Sequence, residues 1–169
     1  MVTDETRAVV AALRADGRTV RFVGGCVRDA VLNQPIRDID LVTTDPPEVV
    51  LELLEQAGLR AIPTGLDHGT VTAVAGTMHY EITTLRRDVE TFGRRARVEF
   101  TDDWAEDAYR RDFTINALYC DLDGTLYDPT DGLIHLRTGQ ICFIGDPFRR
   151  INEDVLRILR FFRFHAWYG

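Results

Sequence analysis

Two aspartates, Asp38 and Asp40, lie on either side of Ile39 at the start of a short β-rich run. In a strand, this two-residue spacing directs both carboxylates to one face and Ile39 to the other. Two carboxylates held close together repel each other, so a cation between them stabilises the pair, and hard oxygen ligands favour Mg²⁺. The spacing therefore predicts a candidate metal site, although paired acids also occur as solvated turn residues.

A glycine pair, Gly24-Gly25, lies upstream of the aspartates, between a predicted strand and a predicted helix. Two glycines let the backbone approach a ligand closely, and the N–H groups at the start of a helix attract an anion. Arg28, one turn into the helix, adds a positive charge. A glycine pair alone is a common tight turn, but together with the aspartates it predicts a metal-triphosphate site.

A third carboxylate, Glu81, lies in the second strand of a predicted hairpin whose turn is Gly76-Thr77. Reactions at a metal-phosphate site often need a further carboxylate that deprotonates or orients an attacking hydroxyl. Glu81 is the candidate for this role, and the alternative is an ordinary exposed strand residue.

Helical and strand patterns alternate around these residues and must position them. Apolar spacing and capping residues predict helices at 5–15, 26–32, 47–57, 104–109 and 152–168. The β-rich runs predict strands at 19–23, 39–42, 69–75, 78–85 and 126–127, with a further apolar stretch at 113–122. Residues 86–101 are charged and lack a clear period, which predicts a mobile loop. The last helix, with Asn152 as its N-cap, is so apolar that we expect further helices of a longer protein to cover it.

Length and composition limit the class of protein. With 169 residues, of which 45% are hydrophobic and 28% charged, the chain is expected to form a single globular domain, with or without an appendage. No apolar run is long enough to span a membrane, and the N-terminus is too polar and acidic for a secretory signal. The three widely spaced cysteines match neither a disulfide framework nor a zinc site. These features predict a cytoplasmic protein without membrane contact.

All 20 basic residues are arginines, and many of them cluster, within a net charge of −7. The clusters lie at 86–87, 94–97, 110–111 and 149–163. The negative total argues against nonspecific attraction of the whole chain to a polyanion. Clustered guanidinium groups, however, present forked donors that match phosphates and base edges. We therefore expect a nucleotide or nucleic-acid partner.

Four strings of residues, in order along the chain, resemble motifs of the bacterial tRNA nucleotidyltransferases (CCA-adding enzymes) and poly(A) polymerases, which belong to the polymerase-beta-like superfamily. They are Gly-Gly-Cys-Val-Arg-Asp from Gly24, Asp-Ile-Asp from Asp38, Arg-Arg-Asp-Phe-Thr-Ile-Asn-Ala-Leu from Arg110 and Glu-Asp-Val-Leu-Arg from Glu153. The resemblance extends from about Phe22 to the last residue. It implies an α+β fold: a nucleotidyltransferase head at 1–145, with a mixed, largely antiparallel sheet flanked by helices, followed by the first helix of an all-helical neck at 146–169.

The resemblance also implies roles for individual residues. In the family, the strand aspartates, which correspond to Asp38 and Asp40, hold two Mg²⁺ ions, and the glycine turn with Arg28 holds the triphosphate. Arg111 would contact the phosphate or base of the nucleotide. Asp112 would accept a hydrogen bond from the ribose 2′-hydroxyl.

The Glu-Asp-x-x-Arg string resembles the protein template of the family. Asp154 and Arg157, placed on one helical face by their spacing, would offer an acceptor and forked donors to the edge of the incoming base. Arg160 and Arg163 would make further contacts with the nucleotide or the primer strand. Without the resemblance, Asp154 is interpreted as a helix-start residue and the arginines as a solvated stripe.

The segment with Asp88, Gly93 and Arg97 resembles the flexible loop that helps the family's site to switch between bases, and the alternative is an unstructured surface loop. The resemblance implies that CTP and ATP supply the C and A residues of CCA at the 3′ end of tRNA, with release of pyrophosphate. Within the class, the alternative is a poly(A) polymerase or an enzyme that adds only CC or only A. Outside it, the alternative is a non-catalytic remnant that binds nucleotide or RNA. The sequence does not reach the family's body and tail, which hold the acceptor stem, so nucleotide binding is expected to outlast efficient recognition of tRNA.

Overall fold

Seven strands form one mixed sheet in the part of the chain that the structure describes. The structure is a computed structural model that describes residues 1–92 and 95–169; the side chains of residues 16, 90–92 and 95–97 lie outside the description. The strands are β1 Val20–Val23, β2 Ile39–Thr43, β3 Arg60–Gly65, β4 Thr70–Ala75, β5 Met78–Thr84, β6 Arg86–Phe92, β7 Arg95–Phe100, β8 Tyr119–Cys120 and β9 Leu126–Tyr127. The helices are α1 Asp4–Leu13, α2 Gly25–Val31, α3 Pro47–Gln56, α4 Trp104–Arg110, α5 Gly132–Arg137, α6 Pro147–Glu153 and α7 Leu156–Tyr168.

The order of strands in the sheet is β3-β4-β5-β2-β1-β8-β9. Strands β2 and β5 pair in parallel, whereas the other neighbours in this sheet are antiparallel. Strands β6 and β7 form a separate antiparallel pair. The predicted α+β fold with a mixed, largely antiparallel sheet is confirmed.

The main hydrophobic core joins α1, α2 and α3 to the sheet. Val9 and Leu13 of α1 and Leu54 of α3 are at most 1% exposed and belong to one cluster with strand residues of β2, β4 and β5. Ile39 and Leu41 of β2 are buried in the same cluster. Because side chains alternate along a strand, Asp40 between them points to the opposite face, as its spacing predicted.

Most of the predicted elements are present with shifted ends. Helix α1 begins after Thr3, whose hydroxyl accepts a hydrogen bond from the N–H of Thr6 at 3.3 Å, as expected of an N-cap. The predicted hairpin is β4–β5, and its turn contains Gly76 with a φ of 60°. The apolar stretch at 113–122 divides into a short 3₁₀ helix, Thr114–Asn116, and β8.

The prediction of a loop at 86–101 was wrong, because most of this segment forms the hairpin β6–β7. Its described side chains lack a buried face: Val89 is 45% exposed and Phe100 is 46% exposed. A strand that is exposed on both sides has no alternation of apolar and polar residues, so the sequence signal was missing. Arg87 and Glu99, opposite each other in the pair, form a salt bridge of 3.0 Å that supports the register.

The prediction of one helix at 152–168 with Asn152 as its N-cap was also wrong. Helix α6 starts at Pro147, and the carboxylate of Asp146 caps it by accepting from the N–H of Arg149 at 2.8 Å. The helix then breaks at Asp154, whose φ of −152° and ψ of 107° are extended. The Asp154 carboxylate accepts from the N–H of Leu156 at 3.0 Å, which replaces a backbone partner at the start of α7.

Strand β3 and helix α5 were not predicted, because their sequence signals are weak. Strand β3 is at the edge of the sheet, is mostly exposed and contains Pro63, which has no N–H to donate. Helix α5 is short, and Asp128 caps it from outside by accepting from the N–H groups of Gly132 and Leu133. None of the helices in the described ranges is long and apolar enough to cross a membrane.

Candidate active site

The glycine turn connects β1 to α2 and is held against the segment that follows α4. Gly24 has a φ of 72° and a ψ of −124°, a backbone conformation that residues with a Cβ rarely adopt. Its N–H donates to the carbonyl of Leu118 at 3.0 Å, and a Cβ at this position would lie 3.5 Å from the carbonyl oxygen of Asn116. The backbone at this turn is therefore both unusual and closely packed, which explains why a glycine occupies position 24.

Arg28 is buried beside this turn, with three defined contacts. Its Nε donates to Asp29 at 2.9 Å, and its Nη1 donates to the side-chain oxygen of Asn116 at 2.6 Å. The guanidinium carbon lies 4.3 Å from the centre of the Tyr168 ring in α7. A Cβ at Gly25 would lie 3.6 Å from Nη2, so this nitrogen is next to the glycine turn. These contacts fix a positive charge where the sequence predicted a phosphate.

The three predicted carboxylates lie on two neighbouring strands, β2 and β5, and directly before β2. Asp38 is exposed and precedes β2, whereas Asp40 is partly buried within it. In the parallel pair β2–β5, Asp40 is in register with Glu81, so both side chains are on one face of the sheet. Burial and the charge of Glu81 raise the pKa of Asp40 to about 6; Asp38 adds to the effect and Arg111 opposes it. The negative charge around Asp40 is thus only partly compensated.

A cleft of about 650 Å³ brings the glycine turn and the aspartates together. Its lining includes Gly25, Arg28, Asp38 and Asp40. The predicted catalytic and nucleotide-binding residues that do not line it are Gly24, Glu81, Arg111, Asp112, Asp154, Arg157, Arg160 and Arg163. The cleft therefore joins the predicted metal ligands to Gly25 and Arg28 of the predicted phosphate site, while Glu81 and the predicted sugar- and base-binding residues do not line it.

The chemistry of the aspartate pair fits a divalent cation. Carboxylate oxygens are the preferred ligands of hard cations, and a cation would offset the burial and the repulsion by Glu81 that raise the pKa of Asp40. Within residues 1–92 and 95–169, no group of three acidic, histidine or cysteine side chains is close enough to hold a metal without help. Asp38 and Asp40 would supply two ligands, and substrate oxygens or water would complete the shell.

The Arg-Arg-Asp string lies at the end of α4, around a buried carboxylate that sequence reasoning missed. Asp107 is fully buried and accepts from Arg110 Nε, Arg111 Nη2 and Tyr119 Oη, each at 2.8 Å. Burial alone would raise the pKa of Asp107, but the charges of Arg111 and Arg110 lower it to about 2. The helical spacing of Asp107 from Arg110 and Arg111 was the available signal.

Arg111 is held rigidly by this carboxylate. Burial works to lower the pKa of Arg111, but the negative charge of Asp107 raises it above its ordinary range. The side chain is 18% exposed, so part of it is still accessible. Arg111 also contributes to the potential at Asp40. A fixed cation therefore lies near the carboxylates, which is compatible with its predicted contact to phosphate.

Asp112 links the end of α4 to α7. One carboxylate oxygen accepts from the N–H of Phe113 at 2.9 Å and from the amide of Asn116 at 3.3 Å. The other accepts from Arg160 Nε at 2.5 Å. Asn116 contacts both Arg28 and Asp112. The sequence places it in the motif that begins at Arg110 but predicted no role for it.

The predicted base-reading residues have a different geometry from the one expected. Asp154 and Arg157 were predicted to share one helical face, but Asp154 is in the extended break before α7, so this prediction was wrong. Arg157 Nη1 donates to Glu153 at 2.7 Å and to the carbonyl of Arg150 at 2.8 Å. The guanidinium carbon of Arg163 lies 5.1 Å from the centre of the Phe164 ring, and the Arg163 side chain is otherwise exposed.

The residues predicted for the flexible loop are only partly described. Asp88 lies in β6, opposite Val98 of β7. Gly93 and the side chain of Arg97 lie outside the described part of the chain. The role of this segment in switching between bases stays a prediction.

Comparisons with known proteins agree with these motifs. The family model described as the poly A polymerase head domain matches residues 20–142. The mitochondrial CCA tRNA nucleotidyltransferase 1 of Danio rerio is 48% identical over 148 residues, which are 87% of this chain and 34% of that protein.

Solved structures are similar over most of the chain. The CCA-adding enzyme of Bacillus stearothermophilus in complex with CTP is 35% identical, with a TM-score of 0.84, over 96% of this chain and 39% of the other. A tRNA nucleotidyltransferase complexed with a primer tRNA and an incoming ATP analog is 32% identical, with a TM-score of 0.74, over 92% of this chain and 44% of the other. The chain thus spans less than half the length of these proteins.

Proposed function

Because the chain belongs to the poly A polymerase head-domain family, we propose that it transfers nucleotides from CTP and ATP to the 3′ end of tRNA, building the CCA end and releasing pyrophosphate. One observation supports this more than any other: Asp38 and Asp40 share a cleft with Gly25 and Arg28. Acidic and basic groups that line one space match a triphosphate with its divalent cation. The similar proteins that are named for CCA addition support the choice of reaction.

Membership in this family implies use of a divalent metal, and Mg²⁺ is the ion that we assign to the site. Asp38 and Asp40 would hold it with carboxylate oxygens, the ligands that Mg²⁺ prefers. When bound, the metal neutralises charge on the phosphates and promotes loss of the proton from the attacking hydroxyl. The raised pKa of Asp40 supports this assignment, because a nearby cation favours the charged carboxylate.

The residues of the chain would bind, align and relieve charge during transfer. Arg28 and the N–H groups of the glycine turn would hold the triphosphate, so that the 3′ oxygen of the RNA attacks the α-phosphorus in line. The bond from this oxygen to phosphorus forms as the bond to pyrophosphate breaks. Glu81, beside Asp40, is the candidate for orienting the hydroxyl and accepting its proton. Positioning and electrostatics then supply most of the rate.

The sugar and base would be read by residues around α4 and α7. Asp112 would accept from the 2′-hydroxyl, since a carboxylate can accept more bonds than the three described here. Asp154 and Arg157 would meet the base edge, with Arg160 and Arg163 as further contacts. Arg157 offers five donors, and its described contacts use only Nη1. Arg111 would contact phosphate or base.

The central test is transfer of labelled CMP to tRNA that ends at the discriminator base. Asp38→Ala should lower the rate at least about a thousandfold, the equivalent of about 4 kcal/mol, because a metal ligand is lost. Asp4→Ala, which removes an exposed carboxylate at the start of α1, is the matched control and should transfer normally. Turnover preserved in the Asp38 variant would refute the assignment.

The second candidate is a poly(A) polymerase, which the description of the matching family favours. CTP and ATP should be offered separately and together to the same tRNA. Two C residues from CTP alone, followed by one A when ATP is added, are expected of a CCA-adding enzyme. Long runs from ATP alone would identify a poly(A) polymerase, and addition that stops after CC, or that needs a CC end, would identify a partial enzyme.

The Mg²⁺ dependence of CTP binding, measured by calorimetry, distinguishes the enzyme from a protein that only binds nucleotides. CTP should bind more tightly with Mg²⁺ than without it, because the aspartates contribute only through the metal. Equal affinity in both conditions would favour a non-catalytic module. The division into a head at 1–145 and the start of a helical neck at 146–169, which contains α6 and α7, is also part of the proposal. So is a cytosolic location, which the three free cysteines favour.

A further inference from the structure

We infer that Asn116 is a positioning residue that holds Arg28 and Asp112 in one fixed geometry, so that the phosphate and the sugar of one nucleotide are read together. The inference rests on the proposed function, in which these two residues contact the triphosphate and the ribose. The carboxamide of Asn116 lies directly between them. Its oxygen accepts from Arg28 Nη1 at 2.6 Å, and its nitrogen donates to the Asp112 carboxylate at 3.3 Å.

An amide matches the chemistry of this contact. Arg28 can only donate hydrogen bonds, and an ionised Asp112 can only accept them. A group between them must therefore accept on one side and donate on the other, and the two partners determine which way the amide of Asn116 is oriented. A carboxylate at position 116 would bond to Arg28 but repel Asp112, and an apolar side chain would satisfy neither.

The surroundings of Asn116 make the contact rigid. The residue is 9% exposed and lies in a 3₁₀ helix, with its N–H bonded to the carbonyl of Phe113 at 3.0 Å. Two residues later, the carbonyl of Leu118 accepts from the N–H of Gly24. One short segment thus holds the glycine turn through its backbone and Arg28 through a side chain.

Both partners of Asn116 have further anchors that extend to α7. Asp29 accepts from Arg28 Nε and from the hydroxyl of Tyr168, at 2.9 and 3.0 Å. Asp112 accepts from Arg160 of the same helix. Because the ends of the chain of contacts are fixed, removing the amide should misplace Arg28 and Asp112 rather than unfold the site.

The test is calorimetry of the whole chain with CTP, dCTP and pyrophosphate, each with Mg²⁺. The ratio of the affinities for CTP and dCTP reports the contact to the 2′-hydroxyl, whereas pyrophosphate reports the phosphate site alone. Wild type should prefer CTP about tenfold, the effect of one hydrogen bond to a charged group. Asn116→Ala should lower this ratio at least about threefold and weaken pyrophosphate binding, whereas Asp112→Ala should lower only the ratio.

A double-mutant cycle separates positioning from a general structural role. If Asn116 acts on the sugar through Asp112, the double variant Asn116→Ala/Asp112→Ala should have the same ratio of CTP to dCTP affinity as Asp112→Ala alone. A purely structural role would weaken CTP and dCTP equally and leave the wild-type ratio intact, which would overturn the inference. Asn116→Asp, which keeps the size and the contact to Arg28, should also lower the ratio and replaces the alanine variant if that fails to fold.

The control is Gln56→Glu, the same change from amide to carboxylate at an exposed position of α3, and it should bind all three ligands like wild type. Transfer to tRNA is measured separately. If wild type fails to transfer nucleotides but the variants show the expected CTP to dCTP affinity ratios, the proposed function is rejected and the positioning role of Asn116 remains. Normal transfer with an unchanged ratio in Asn116→Ala and Asn116→Asp would reject the positioning role alone.

Discussion

Asp40 is a partly buried carboxylate with an acidic neighbour on the next strand, and its pKa is raised from 3.8 to about 6. Because the pKa in the folded state is above that of the unfolded chain, ionisation of Asp40 lowers stability. This cost is absent below about pH 4, grows as the pH rises to about 6 and is complete above it. The difference in pKa corresponds to at most about 3 kcal/mol, and partial exposure reduces it to about 1–2 kcal/mol.

We therefore expect Asp40→Asn to raise the free energy of unfolding by about 1–2 kcal/mol at pH 7 in metal-free protein, and to have little effect at pH 4. Urea unfolding at pH 4, 5, 6 and 7 with a chelator measures the difference. Asp67→Asn, at an exposed position, should show no such dependence. A variant that is no more stable than wild type at pH 7 would contradict the raised pKa.

Asp107 is the opposite case, a fully buried carboxylate with compensating charges. Its pKa of about 2 is below the ordinary value, so its stabilising effect is present above about pH 4 and is lost as the pH falls towards 2. Asp107→Asn leaves Arg110 and Arg111 without their buried partner and should cost about 3–5 kcal/mol at pH 7. Urea unfolding measures this loss.

The exposed Asp102→Asn is the control for Asp107 and should change stability by no more than about 0.5 kcal/mol. The variant at position 107 should also bind CTP more weakly, because Arg111 is no longer held in place. A small loss of stability for Asp107→Asn, similar to that of the control, would mean that the arginines find other partners.

Among the helices, Arg150 attaches α6 to the end of α4. Its Nη2 donates to the carbonyls of Arg110 and Arg111, both at 2.5 Å, and its Nη1 donates to Glu153 at 2.8 Å. Helix α4 ends at Arg110, where carbonyl groups have no partner within the helix. One side chain therefore satisfies the end of α4 and places the break before α7 next to the Arg-Arg-Asp string.

Arg150→Met should cost about 2–3 kcal/mol, because two partly buried carbonyls lose a charged donor. It should also speed proteolysis near the break at Asp154, since α6 is no longer attached. The matched control is the neighbouring Arg149→Met, which also loses a contact to Glu153 but from a side chain that is 80% exposed, against 11% for Arg150. This control should lose no more than about 0.5 kcal/mol. Equal effects of the two changes would show that Arg150 does not attach α6.

At the scale of the whole molecule, the net charge of −7 opposes the approach of a polyanion. We expect this 169-residue chain to bind whole tRNA with a Kd above about 10 µM at physiological salt, within the nonspecific range, while CTP with Mg²⁺ still binds. Fluorescence anisotropy with labelled tRNA at several salt concentrations is the measurement. Binding in the nanomolar range would mean that the arginine clusters outweigh the total charge.

Several apolar side chains of the last two helices are exposed. Phe148, Leu159, Phe162 and Trp167 are each more than 60% exposed. Their exposure agrees with the expectation that the last helix is too apolar to stand without a cover. The chain spans 34% of the Danio rerio protein that it matches.

Features that depend on neighbouring residues could be predicted from the sequence. The period of apolar positions placed α1, α3 and the β4–β5 hairpin, the spacing of Asp38 and Asp40 placed their side chains on one face of β2, and four strings in order indicated the family. Local interactions are sufficient for these features, because strand alternation, helix capping and tight turns act over a few residues.

Contacts between residues that are distant in the sequence became known from the three-dimensional fold. The parallel pairing of β2 with β5 places Glu81 beside Asp40, and the contact between Arg28 and Asn116 joins residues 88 positions apart. The exposed hairpin β6–β7 and the break at Asp154 also depend on partners that local sequence patterns do not specify. Such contacts result from the packing of whole elements, and the charges that packing places beside a buried group then determine its energy: Glu81 helps to raise the pKa of Asp40, whereas Arg111 and Arg110 lower that of Asp107.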